Sequence, residues 1–109
     1  MSQVFEKGTI LKINEMIDYS KGGVISKQVL KNAAGNITLF SFDEGQGLTE
    51  HTAPFDAMVQ VLEGEVEIRI GGQPHRLKQG DSIIMPANIP HALQAVKAFK
   101  MLLTMIKGA

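Results

Sequence analysis

Two stretches of the chain decide its fold: GQGLTEHTAPFDAMVQVLEG (residues 45–64) and GDSIIMPANIPHALQA (residues 80–95). The first contains His51, and the second contains His91 directly after a short loop that begins at Pro86. Glycine and proline interrupt regular elements, so both stretches predict short strands joined by tight turns. Each stretch therefore places one histidine beside a turn, near the end of a strand.

The spacing of these residues resembles the two-part signature of the cupin family. In the first part, a glycine, five residues and a histidine are followed by the closing Gly64, as in the family. In the second part, Gly80, Pro86 and His91 stand at family positions, and Asn88 replaces a glycine. Asparagine tolerates left-handed backbone conformations, so this replacement is mild. The resemblance implies an all-β, cupin-type jelly-roll β-barrel (double-stranded β-helix) of the small germin-like and RmlC-like kind.

The same resemblance implies a metal site that this chain supplies only in part. Cupins of this pattern hold one ion with two histidines and a glutamate from the first motif and a histidine from the second. His51 and His91 fit, but Ala53 and Ala57 occupy the other two positions. Two neutral imidazoles form a weak chelate. No cofactor is therefore certain, and a divalent Zn, Ni, Fe or Mn ion on His51 and His91 is the metal alternative.

The two alanines favour an organic ligand over an ion, because they leave space and apolar surface beside the histidines. Residues 51 and 53 are expected to share one strand face, and residue 57 to face inward from the next strand. The alternative is that Phe55 or Met85 fills the gap. The predicted ligand-binding residues are His51, Ala53, Phe55, Ala57, Met85 and His91.

The leading functional prediction is a stand-alone cupin domain of undefined pathway that binds a small organic molecule in the barrel pocket. The alternative is a metal-dependent enzyme of the dioxygenase or isomerase type with His51 and His91 as ligands. A third reading is a vestigial pocket on a fold that serves oligomerisation. Imidazole also suits proton transfer, but no carboxylate of the right strand phase is found to orient it. Whether the protein is an enzyme, and by which residues, stays open.

Alternation of apolar and polar residues predicts the strands. In GEVEIRI (residues 64–70) the apolar side chains fall on one face and the charged ones on the other. The following Gly71 and Gly72 tolerate the positive φ of a tight hairpin. Residues 10–19 are a short helix or a loop, and His75 shares strand parity with Leu77 and is expected to face inward. Further strands are predicted at residues 24–30, 37–42, 49–53, 58–62, 73–77, 82–85, 91–96 and 99–106, the last with a terminal helix as alternative.

Composition excludes several classes of protein. Eleven basic residues balance eleven acidic ones, so no basic surplus exists to bind nucleic acid. The absence of cysteine excludes disulfides and thiolate metal clusters. No run approaches the roughly 18 apolar residues of a membrane span, and the start MSQVFEKGTI lacks a signal-peptide pattern. We expect a cytoplasmic protein with a single domain over residues 1–109, residues 1–35 being an arm and first strand and residues 36–109 the barrel core.

A homodimer is also predicted, because a net charge of zero does little to suppress self-association. The strand at residues 24–30 is expected to pair with the neighbouring subunit's sheet, which would close an exposed edge. Two faces are further candidates for the contact, one with Phe40 and Phe42, the other with Leu102, Thr104 and Ile106. Core packing is the alternative for both faces.

Overall fold

The computed structural model describes residues 5–108 and confirms the all-β prediction. Residues 1–4, which include the start of the predicted arm, and residue 109 lie outside the described part. A 3-10 helix at Ile13–Glu15 lies within the segment predicted as a short helix or loop. The strands are β1 (Val24–Asn32), β2 (Gly35–Phe42), β3 (Gly47–His51), β4 (Asp56–Glu63), β5 (Glu65–Ile70), β6 (Gln73–Lys78), β7 (Ser82–Met85), β8 (His91–Ala95) and β9 (Phe99–Ile106).

The strands form two antiparallel sheets that pack face to face. One has the order β1-β2-β9-β4-β7, and the other has the order β3-β8-β5-β6. Only the β1–β2 and β5–β6 connections stay within a sheet, and every other connection crosses to the opposite sheet. Repeated crossing between two sheets is the topology of a jelly roll, so the predicted fold class is confirmed.

The core lies between the sheets and follows the period-two pattern of the strands. Val66 and Ile68 are buried from the four-stranded sheet, and Phe42 and Phe99 are buried from the five-stranded sheet. The rings of Phe42 and Phe99 stack with their centroids 4.6 Å apart. Phe40 packs against the same cluster, so the face with the two phenylalanines belongs to the core.

The segment before β1 covers part of the outer face of the five-stranded sheet; we call residues 10–20 the arm. Ile17 of the arm is buried. The Ser41 hydroxyl donates a 2.7 Å hydrogen bond to the Asp18 carbonyl, and the Lys100 ammonium donates one of 2.7 Å to the Asn14 carbonyl. These contacts attach the arm to β2 and β9 on the side of the sheet that faces away from the core.

His75 lies on the same face of β6 as Leu77, as strand parity predicts, but it is not buried in the core. His75 pairs in register with the buried Ile68 but is itself exposed. The reason is its position, because β6 is the edge strand of its sheet and only Leu77 of that strand is buried. Within residues 5–108, no helix has the length and apolar character needed to cross a membrane.

Candidate functional site

Two connections between the sheets lie side by side at one end of the barrel, which we call the open end. Residues 52–55 lead from β3 to β4, and residues 86–90 lead from β7 to β8. The Asn88 amide donates a 2.7 Å hydrogen bond to the Ala53 carbonyl, and the Ala87 amide donates one of 2.8 Å to Oδ1 of Asp56. The two connections are therefore held together, and the strand ends that they join are brought to the same place.

His51 and His91 meet at this end, on the edge formed by the four-stranded sheet. His51 is the last residue of β3, His91 is the first of β8, and the two are register partners. Their rings lie edge to face, with centroids 4.4 Å apart and an angle of 68° between the ring planes. His91 is only 6% exposed, whereas His51 is exposed to solvent. The predicted proximity of the two imidazoles is thus present in the structure.

A β-bulge in β3 allows His51 to face its partner. Leu48 opposes Leu93 and His51 opposes His91, so three steps along β3 match two along β8. An extra residue in one strand keeps both side chains on the same face, where strict alternation would turn one of them outward. This irregularity has no signal in the sequence, because strand parity alone does not reveal where an extra residue lies.

Backbone carbonyls determine which nitrogen of each imidazole carries its proton. Nδ1 of His51 lies 2.9 Å from the Thr49 carbonyl oxygen, and Nδ1 of His91 lies 3.3 Å from that of Ile89. A carbonyl can only accept, so Nδ1 carries the hydrogen in each ring. In the neutral form each Nε2 then has a lone pair, which makes it a hydrogen-bond acceptor or a potential metal ligand.

The pKa of His91 lies below its usual value. Burial, which disfavours the charged form, is the main cause, and the charge of the adjacent His51 adds to it. The hydrogen bond with the Ile89 carbonyl acts in the opposite direction and is the smaller effect. His91 is consequently a neutral acceptor at neutral pH.

The other predicted binding residues lie on the opposite edge of the open end and in the connection between β3 and β4. Ala57 and Met85 are register partners in β4 and β7, and both are buried in the core cluster. Ala57 faces inward together with Val59, as expected. Phe55 is half-buried, and the Lys107 ammonium lies 5.9 Å from its ring centroid.

Ala53 is not where strand alternation would place it. β3 ends at His51, so the expectation that residues 51 and 53 share one face of a single strand is wrong. Pro54 follows directly and has no N–H to offer a ladder, and the Ala53 carbonyl is bonded to Asn88. The half-buried Ala53 therefore contributes to the connection between the sheets rather than to the face that carries His51.

The residues present do not fit the four-ligand metal site that the resemblance implies. Within the part of the chain that the structure describes, no three His, Cys, Asp or Glu side chains are grouped closely enough to hold an ion. Asp56 follows the same connection, but it is exposed and its Oδ1 accepts from the Ala87 amide. Among residues 5–108, the donor set at the open end consists of His51 and His91.

A separate groove lies on the outer face of the four-stranded sheet, away from the histidines. This groove has a volume of about 440 Å³, and outward-facing Gly47 and Ala92 leave room between the longer side chains. Such small residues at outward positions are a sequence signal that could have located it. Its charged groups, Glu67 and Arg69, form an ion pair with each other at 3.0 Å. Because these groups already satisfy each other, we place the candidate site at the histidines.

Comparison with known proteins supports the fold and its family. The cupin-domain family model matches residues 38–107. A conserved protein of unknown function from Streptococcus pyogenes is 38% identical over 95% of this chain and 91% of its own, with a TM-score of 0.89. A cupin 2 conserved barrel domain protein from Leptotrichia buccalis is 39% identical over 89% of this chain and 47% of its own, with a TM-score of 0.86.

A cupin superfamily protein from Desulfitobacterium hafniense is 25% identical over 97% of both chains, with a TM-score of 0.88. A search of curated proteins finds no match to this chain. The family match covers well over half of the sequence and contains both histidine motifs. The chain therefore belongs to the cupin family.

Proposed function

We propose that this cupin domain binds a small organic molecule at its open end, and that the molecule is uncharged and donates a hydrogen bond from an apolar body. The observation that carries the proposal is the pair of adjacent imidazoles, each with Nδ1 bonded to a carbonyl of its own chain. The proposal concerns binding and includes no chemical step.

The histidines define the polar half of the ligand. With both Nδ1 hydrogens engaged, the two Nε2 atoms present lone pairs and no donor. A hydroxyl, phenol or N–H group satisfies such acceptors, and a buried acceptor left without a donor costs about 1–3 kcal/mol. A carboxylate would bring its own lone pairs against them and is disfavoured while both rings are neutral.

The surroundings of the histidines define the apolar half. Phe55 and Ala53 are half-buried in the connection that follows His51, and Ala57 and Met85 form the opposite edge. Small-molecule sites are mostly apolar with a few polar groups that fix orientation. An aromatic or aliphatic body beside Phe55, with one donor aimed at the histidines, matches that composition.

A metal-dependent enzyme of the dioxygenase or isomerase type is the second candidate. One observation favours it, because an Nδ1–H bonded to a backbone carbonyl is also the arrangement found in metal-bound histidines. The donor set argues against this candidate. Non-haem iron sites of this kind use two histidines and a carboxylate, and no carboxylate joins the two histidines among the described residues.

Thermal denaturation with matched ligand pairs tests the proposal. At pH 7.5 we expect neutral donors such as 4-methylphenol to stabilise the protein, by about 2.7 kcal/mol at one hundred times the dissociation constant. The carboxylate 4-methylbenzoate, which has the same tolyl body, should have no effect. His51→Phe keeps a ring but removes Nε2, so it should abolish the stabilisation. The matched control is His75→Phe, at an exposed histidine of β6 away from the open end.

Two results would overturn the proposal. Stoichiometric metal in protein purified without an affinity tag, lost in the His51→Ala/His91→Ala double variant, would establish the metal-dependent alternative. Equal stabilisation by phenols and carboxylates, or none by any member of a panel of such pairs, would reject the ligand class and the site.

A further inference from the structure

The groove on the outer face of the four-stranded sheet, which we call the outer groove, is separate from the histidine site. It lies where β3, β8 and β5 run side by side, and Gly47 and Ala92 are the small residues that make this face concave. His91 precedes Ala92 but is buried from the other side of the sheet. The volume of about 440 Å³ lies within the range of roughly 300–1,000 Å³ that is typical of small-molecule sites.

One wall of the outer groove carries an oriented ion pair. Nε of Arg69 donates a 3.0 Å hydrogen bond to Oε2 of Glu67, and Nη2 of Arg76 lies 3.9 Å from Oε1 of the same carboxylate. A guanidinium has five N–H groups and a carboxylate has about four lone-pair sites, so both groups keep hydrogen-bonding capacity after they have paired. The side chain of Arg69 is 60% exposed, so its terminal nitrogens are accessible to a ligand.

Neutral polar groups complete the lining of the outer groove. Gln94 is the register partner of Glu67, and its Nε2 donates a 2.7 Å hydrogen bond to the Gly45 carbonyl. This bond fixes the amide and leaves Oε1 as an acceptor. Thr49 adds a hydroxyl, which can both donate and accept. The lining thus combines donors with acceptors, and its two charges cancel.

We propose that the outer groove binds a neutral saccharide, with two adjacent hydroxyls of the sugar bridging Glu67 and Arg69. One hydroxyl donates to the carboxylate and the other accepts from a terminal nitrogen of the guanidinium, so the ion pair stays intact. The C–H face of the sugar ring then lies on the Ala92 methyl group and the Gly47 backbone, which form an apolar floor.

The lining disfavours the other classes of small ligand. A charged molecule would be attracted by one member of the ion pair and repelled by the other. A nucleobase would need an aromatic side chain on which to stack, and among the described residues none lines the outer groove. Water competes for each hydrogen bond in an open groove, so we expect a dissociation constant on the order of 1 mM.

Nuclear magnetic resonance titration of the ¹⁵N-labelled full chain with maltose tests the proposal. The amide signals of residues 47–49 and 92–94 and the Nε signal of Arg69 should shift and saturate. Triethylene glycol has hydroxyls and ether oxygens but no adjacent pair of hydroxyls, and it should give no saturable shift. His51→Phe alters only the site at the open end, so it should leave the maltose titration unchanged.

Three substitutions separate the outer groove from the rest of the sheet face. Arg69→Met removes the donor and should weaken maltose binding more than about tenfold, a loss of about 1.4 kcal/mol. Ala92→Leu fills the floor without changing a charge and should abolish saturation. The matched control Arg76→Met removes an arginine of the same face that is bonded to Glu65 at 2.8 Å and does not line the groove. It should weaken binding less than about threefold.

Circular dichroism verifies that each variant is folded, and Arg69→Met keeps the test valid if Ala92→Leu does not fold. Non-saturable shifts in the wild-type protein, or an equal response to triethylene glycol, would show that the outer groove does not recognise adjacent hydroxyls. Saturable binding that survives Arg69→Met, or that is lost in His51→Phe, would place the saccharide elsewhere. Each of these results would overturn the proposal.

Discussion

The Asn88 amide donates a 2.7 Å hydrogen bond to the Ala53 carbonyl, and this bond joins the two connections that end at the histidines. Asn88 makes it from a left-handed conformation, with φ at 64°. The position is one where cupins have glycine, and asparagine is the residue that tolerates this region best after glycine. The pairing of His51 with His91 thus depends on a backbone contact in a neighbouring loop.

The conformation of Asn88 predicts a difference between two substitutions. Asn88→Gly should change the free energy of unfolding by less than about 0.5 kcal/mol, because glycine adopts this φ freely. Asn88→Ala should lower it by about 1 kcal/mol, because its Cβ opposes the left-handed conformation and no side-chain polarity compensates. Chemical denaturation measures both values. Equal stability of the two variants would show that the left-handed φ does not constrain this loop.

The pKa of His91 predicts a loss of stability in acid. An unfolded histidine titrates near pH 6.5, and burial lowers the value in the folded protein. Between these two values the unfolded chain binds more protons, so the free energy of unfolding falls as the pH is lowered below about 6.5. The full contribution of His91 to the free energy of unfolding is present once the pH lies above about 6.5. The measurement is denaturation from pH 7.5 to 5, with His91→Asn as the control that should lack this slope.

Nuclear magnetic resonance titration of the ring protons tests the same point directly. His51→Gln removes the second cause of the shift, so the pKa of His91 should rise toward its usual value yet remain below it because burial persists. A His91 that titrates at or above 6.5 in the wild-type protein would contradict this account.

Gly64, which joins β4 to β5, predicts a severe effect of an added methyl group. Its φ is 85°, and a Cβ there would overlap the Ala98 carbonyl oxygen and the Phe99 backbone. Gly72 has a similar φ of 82° in the β5–β6 hairpin, but a Cβ there would meet open space. We expect Gly72→Ala to cost about 1–2 kcal/mol and Gly64→Ala several kcal/mol or the fold itself. Similar costs in thermal denaturation would show that backbone strain, and not the overlap, dominates.

The arm is predicted to depend on Tyr19. Its hydroxyl donates a 2.6 Å hydrogen bond to Glu63 at the end of β4, and this bond is the main reason that the pKa of Glu63 is lowered. Tyr19→Phe should reduce the free energy of unfolding at pH 7 by up to about 1 kcal/mol, since the pair is exposed to solvent.

The fall in the free energy of unfolding at low pH should respond to the same substitution. A lowered carboxylate pKa contributes stability above the usual value of about 4.5, and that contribution is lost as the pH falls through the folded value. Tyr19→Phe should therefore make the free energy of unfolding decline less steeply below about pH 4.5. If the variant loses stability at low pH as the wild-type protein does, and the pKa of Glu63 is still lowered, then the contacts with Asn14 and Lys100 are sufficient to lower that pKa.

Local patterns predicted most of the secondary structure because they act over a few residues. Alternation identified β5 directly, and the Gly71–Gly72 pair identified its hairpin, with φ values of 57° and 82° in the structure. The apolar run at the end of the chain is a strand, β9, rather than the alternative helix. Errors arose where alternation is interrupted, as at the bulge of β3 and at Ala53 before Pro54.

Exposure was predicted less well, because it depends on what covers a face. His75 shares a face with buried Ile68, yet it is exposed on an edge strand. The face with Phe40 and the face with Leu102 have similar apolar patterns in the sequence, so the sequence alone did not show which of them is buried. One of them lies in the core between the sheets, and the other lies outside, where the arm covers only part of it.

Glycine and proline spacing, with period-two alternation, determined that this chain is a cupin barrel and that two imidazoles approach its open end, since both signals are encoded in short segments. Tertiary structure alone decided that each Nδ1 is bonded to a carbonyl and that no third ligand joins the pair among the described residues. The physical reason is that these features depend on how distant strands are brought into register, and a bulge of one residue in β3 decides which side chains meet.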